Sequence, residues 1–175
     1  MHQSPRPSLA SLEKKAHWLG LLLLASGLHI FEATIPSFGP WFKLGLANII
    51  TIIALATIGA RAAASLAIAR VVIGAFFIGT MFTPTFIISL IATIAATTTM
   101  LLAWRFIPHI SLIGVSLLAA IAHMCSQFFV VEQFFIQQTA LYYLLPPLLV
   151  LSCATGWLNG ALATYITAQL NIRSR

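Results

Sequence analysis

Six apolar runs separated by short polar breaks dominate the chain, at about residues 18–35, 44–60, 62–82, 85–104, 111–131 and 141–170. The breaks are made of helix-interrupting residues. Pro36 and the Phe38-Gly39-Pro40-Trp41 cluster follow the first run, Gly59 and Arg61 the second, Thr83-Pro84 the third, and Arg105 to His109 with Pro108 the fourth. Glu132 to Thr139 is a glutamine-bearing connection, and Pro146-Pro147 near the start of the last run predict a bend or a restart there. Apolar helices of about 18–25 residues cross a hydrocarbon core about 30 Å thick. Barrel strands would alternate polar and apolar positions, which these runs do not. The pattern therefore predicts an all-α membrane protein: a bundle of six transmembrane helices over residues 17–172, with polar tails at 1–16 and 173–175. The first run ends in Phe31-Glu32-Ala33-Thr34-Ile35-Pro36 without a small-residue cleavage site, so it reads as a retained helix.

Composition sharpens this picture. Of 175 residues, 60% are hydrophobic and 7% charged, and the mean hydropathy is +1.00. Soluble domains are about 45–50% apolar and about 25% charged, so this chain lacks the polar residues to coat a water-facing surface. Its acidic residues are Glu13, Glu32 and Glu132, and it has no aspartate. Asp-rich metal–diphosphate chemistry cannot reside in this chain alone, and without GxxxxGK[ST] it has no P-loop for nucleotide hydrolysis. A non-enzymatic protein is expected, with no cofactor and no metal. Cys125 and Cys153 stand singly in apolar runs and read as small core residues.

Charge supplies orientation. With both ends inside, the inner segments carry Arg6, Lys14, Lys15, Arg61, Arg105, Arg173 and Arg175, while Lys43 is outside and Arg70 lies within a helix. This predicts a multi-pass protein of a bacterial cytoplasmic (inner) membrane with both termini cytoplasmic. The net charge of +6 is then topology signal and attraction to anionic lipid, with no nucleic-acid partner implied.

At about 1.5 Å of rise per residue, counting from the ends of the runs places His29, Glu32, Asn48, His123 and Gln127 in the outer half of the bilayer. His29 and Glu32 share a helix face at i, i+3, as do His123 and Gln127 at i, i+4. Polar side chains in lipid turn to the bundle interior or to a watered cavity. The five predict an outer cavity for a polar or anionic solute, with Lys43 and Tyr142/Tyr143 at its rim; the alternative is that they serve only as interhelical glue. A metal site from His29, Glu32 and His123 is disfavoured, because the ligand spacing is loose. Arg70 counts about 10 Å lower than Glu32, and Asn159 also falls in the inner half. A structural role is favoured for Arg70 over substrate contact. Gly156-Trp157-Leu158-Asn159-Gly160 is a GxxxG that lets another helix approach, inside the bundle in preference to a partner.

The segments Lys43-Leu44-Gly45-Leu46-Ala47-Asn48-Ile49, Arg70 with Gly74, Ser111 to Ser116 with His123 and Gln127, Tyr142 to Pro146, and Thr155-Gly156 resemble the Gx transporter family, also labelled heptaprenyl diphosphate synthase component I. That family is similar in size and helix count to the substrate-binding S components of energy-coupling-factor (ECF) transporters. The resemblance implies a subunit that binds a small solute (vitamin-, flavin- or isoprenoid-related) near the outer face, energised by ATPase and membrane scaffold subunits. It carries Lys43, Asn48, Arg70, His123 and Gln127 over as site candidates. The chain departs from the family pattern at Ala92-Thr93-Ile94-Ala95-Ala96 and at His123-Met124, and its first helix has Ala25 to His29 where an AxxxA docking motif is expected. The family's second label implies the alternative, a non-catalytic membrane subunit that works with a soluble polyprenyl diphosphate synthase.

Overall fold

The computed structural model describes residues 9–34 and 45–173. The predicted first loop, including Lys43, lies outside the described residues, as do both chain ends. Six α-helices follow one another: α1 (Leu9–Thr34), α2 (Leu46–Thr57), α3 (Ala60–Ile78), α4 (Pro84–Phe106), α5 (Leu112–Val131) and α6 (Leu145–Arg173). Among the described residues there is no strand. Five stretches are long and apolar enough to cross a membrane, and α2 is the shorter apolar helix beside them.

Local chemistry explains most boundaries. Gly79 ends α3 in the left-handed conformation at φ 78, which a side chain would strain. Pro84 opens α4 in its first turn, where its missing N–H is no loss. The Ser111 side chain caps α5 by accepting from the Gly114 amide at 3.1 Å. The connection after α5 is more helical than its polar composition suggests. A π-helical turn at Glu132–Ile136 extends α5, and a 3-10 segment at Thr139–Leu144 precedes α6. The two prolines thus restart the last helix, at Leu145.

α2 differs from the predicted second span. It has 12 residues, or about 18 Å of rise, too short for a hydrocarbon core of about 30 Å. Eight of its residues, from Ala47 to Leu55, are buried. It is an internal helix.

α2 packs against α1, α3 and α6, while α3 meets α4, α4 meets α5, and α5 meets α6. Helices α2 to α6 therefore close a ring, with α1 laid across the outside of α2 and α3. Large apolar side chains such as Leu23, Phe76, Phe77 and Val150 point outward and are exposed, whereas the interior is rich in Ala47, Ala54, Ala63, Ala67, Ala92 and Ala163. Larger apolar residues such as Ile53, Leu55, Leu66 and Val115 fill the rest of that interior, and apolar side chains both inside and outside fit helices packed in lipid, where small residues allow close approach. Gly156 and Gly160 of α6 face α5. An added Cβ would stand 2.8 Å from the Ala120 Cβ and 2.6 Å from the Ile113 Cα respectively, so the GxxxG is a seam inside the bundle. At the opposite side, Trp18 Nε1 donates to the Ala62 carbonyl at 3.1 Å and ties α1 to the start of α3.

Candidate functional site

A polar clasp sits where α2 begins. The Glu32 carboxylate, at the end of α1, accepts from the Leu46 amide at 2.6 Å. An anion is favourable there, because the first amides of a helix lack internal acceptors and carry the positive end of its dipole. Gly45, at φ 73, turns the chain into the helix. Its carbonyl accepts from the Asn48 amide at 2.8 Å and from Asn159 Nδ2 of α6 at 3.2 Å. The Asn48 side-chain oxygen in turn accepts from an Arg70 terminal nitrogen of α3 at 2.5 Å. Four helices are thereby joined through one turn of backbone.

Asn48 and Arg70 meet because both are set from the same turn. Counting away from Ile58-Gly59, Asn48 lies nine residues before Thr57 and Arg70 ten residues after Ala60, which puts each about 14 Å along its helix. Arg70 is 5% exposed. The Glu32 carboxylate acts on its charge through space. One turn further along α3, Gly74 leaves room for the His29 ring, which a methyl group at that position would overlap. His29 thus reaches from the outer helix across α3 toward the interior.

These groups border a cavity of about 70 Å³ within the helix ring. His29 and Glu32 of α1, Asn48, Arg70, Thr93 and Ser89 of α4, His123 of α5, and Ser152 and Asn159 of α6 line it. The space holds a few waters or the polar end of a larger molecule. A second cavity of about 30 Å³ continues from it, sharing Asn48, Arg70, Thr93, Ala120 and Asn159 as a common wall. Thr51, Thr97 and Ser116 add hydroxyls there.

Of the residues expected at a site, His29, Glu32, Asn48, Arg70 and His123 are brought together around the first cavity. Gln127 lies one turn beyond His123, half-buried and away from the cavity lining. Tyr142 is 48% exposed and meets the Phe128 ring edge-on at 5.5 Å. Lys43 lies outside the described residues. Sequence reasoning left Asn159, Thr93, Ser89 and Ser152 out of the site. Asn159 carried a signal, since an amide in a membrane-spanning run needs a partner. The hydroxyls carried none, because Ser and Thr in such helices commonly bond their own backbone. Among the described residues, no three His, Cys, Asp or Glu side chains group closely enough to hold a metal.

Long helices that are apolar outside, packed around a cavity with polar side chains in its wall, define a multi-pass membrane protein. The chain belongs to the heptaprenyl diphosphate synthase component I family, which matches residues 21–166. That match takes in every cavity-lining residue named above. No curated protein and no solved structure matches the chain.

Proposed function

We propose that this chain is the solute-binding membrane subunit of a transport system, and that the cavity at the α2 clasp is its binding site. The observation that supports this most is Arg70, a cation held inside a membrane helix bundle at the wall of a cavity lined with polar side chains. An ionisable side chain inside a membrane bundle is costly and by default points to a functional site. The solute, by resemblance, is vitamin-, flavin- or isoprenoid-related. A cavity of about 70 Å³ admits a group of a few atoms, the polar end of such a solute. The chain has no P-loop, so in this reading an ATPase and a membrane scaffold subunit supply the work, as in ECF transporters. Both termini are cytoplasmic in the bacterial inner membrane, by the distribution of basic residues.

A second reading is favoured by the family's description: a non-catalytic membrane subunit of a heptaprenyl diphosphate synthase. All metal–diphosphate chemistry would then belong to a soluble partner, since this chain has no aspartate.

Purification from native membranes in mild detergent, with mass spectrometry of proteins and small molecules, separates the two. The transport reading predicts an ATPase, a scaffold subunit and a bound small molecule. Recovery of a soluble prenyl synthase without a small molecule would reject it in favour of the second.

A further inference from the structure

The unmet hydrogen-bonding capacity of Arg70 identifies the chemistry of the ligand. A guanidinium carries five N–H donors in a planar fork. Among the described residues Arg70 gives one of them to Asn48. Its Nε is fully buried and has no hydrogen-bond partner among the described residues, although the side chain lines both cavities. Buried donors in folded proteins are nearly always paired, with protein, ordered water or a ligand. The Glu32 carboxylate accepts from the first amide of α2 and acts on the Arg70 charge through space, yet the Arg70 Nε remains without a hydrogen-bond acceptor among the described residues. Water in the cavity would meet these N–H groups one at a time, whereas a two-oxygen anion meets a pair of them and adds to the charge that Glu32 supplies.

We infer that the solute carries a carboxylate or phosphate group and that this group binds Arg70 through the cavity. The inference rests on the solute-binding reading above and specifies its substrate class. An edge of the guanidinium fork presents two parallel N–H groups that match two oxygens of such an anion, and a two-point bond of this kind is stronger and more directional than one from lysine. Asn48 holds one terminal nitrogen of the fork and so restricts its orientation. The buried Thr93 and Asn159 border the same space and supply polar contacts beside it. The anion could belong to a water-soluble acid or to the head of a lipid, since the recognising chemistry is the same.

The test compares thermal unfolding of the detergent-purified protein in sodium phosphate, sodium acetate and sodium chloride at equal ionic strength, in wild type and in Asn48→Asp. The substitution sets a carboxylate on Arg70 from within and should displace the external one. The wild type should melt roughly 2–4 °C higher in phosphate or acetate than in chloride, and Asn48→Asp should lose that difference. A response to phosphate alone assigns a phosphoryl group, and to acetate alone a carboxylate. An equal response in both proteins overturns the inference, because phosphate stabilises folded proteins generally; so does no response in the wild type. Mass spectrometry of molecules extracted from the wild type decides the matter if Asn48→Asp does not fold. A water-soluble acid or an anionic lipid supports the inference and names the source. A neutral or cationic molecule overturns it and leaves solute binding intact, whereas no bound molecule overturns solute binding itself.

Discussion

Asn48 carries two loads that a single polar residue in a membrane helix rarely combines. Its backbone amide bonds Gly45 and its side chain accepts from a buried cation. Removing that acceptor takes a hydrogen bond from the Arg70 charge, an effect of about 1.5–3 kcal/mol or more for a buried charged donor. Asn159 donates to a neutral carbonyl, so its loss should destabilise by about 1–3 kcal/mol. Asn48→Leu is therefore expected to lower the melting temperature in detergent more than Asn159→Leu. The reverse order would show that Arg70 does not depend on Asn48. The polar residues of this clasp were legible in the sequence one by one, because each is out of place in an apolar run. Their mutual level was not. Counting from an assumed outer membrane face put Asn48 well above Arg70, whereas counting from the shared Ile58-Gly59 turn brings them level. The error arose because α2 stops short of spanning, a property its apolar composition does not reveal.

At the level of elements, glycine decides which faces touch. Gly160 and Gly156 lie against α5 with no space for a side chain, while Gly20 and Gly27 of α1 have nothing within 4 Å. Gly160→Ala should force α5 and α6 apart and destabilise by about 1–3 kcal/mol, as overpacking of a tight contact does. Gly27→Ala should be neutral or slightly stabilising, since alanine favours the helix by about 1 kcal/mol where nothing obstructs it. Thermal unfolding of the two variants checks this, and equal effects would contradict the assigned seam. The GxxxG was readable as a close-packing motif, and Pro146-Pro147 as a restart. The π-helical turn at Glu132–Ile136 was hidden, because Glu132, Gln133, Gln137 and Gln138 carry the composition of a loop while the backbone continues to wind.

Taken whole, the molecule departs from a soluble bundle in its surface: bulky apolar side chains cover the outside as well as the core, alanines and glycines allow close contacts, and a cluster of polar groups is held within. The class was evident from the long apolar runs, and the candidate site in good part from His29, Glu32, Asn48, Arg70 and His123. The closure of α2 to α6 into a ring was not, since helix order around a bundle depends on shape complementarity that no periodicity encodes. The central claim is that this ring holds a solute. Ser89 of α4 lines the first cavity and takes no part in the clasp, so Ser89→Phe fills the space with little change elsewhere. The decisive measurement is the amount of small molecule retained per chain by purified wild type and Ser89→Phe, each checked for a monodisperse folded peak. About one molecule per wild-type chain and none in the variant is the predicted result. Equal retention by both proteins, or none by the wild type, would contradict it.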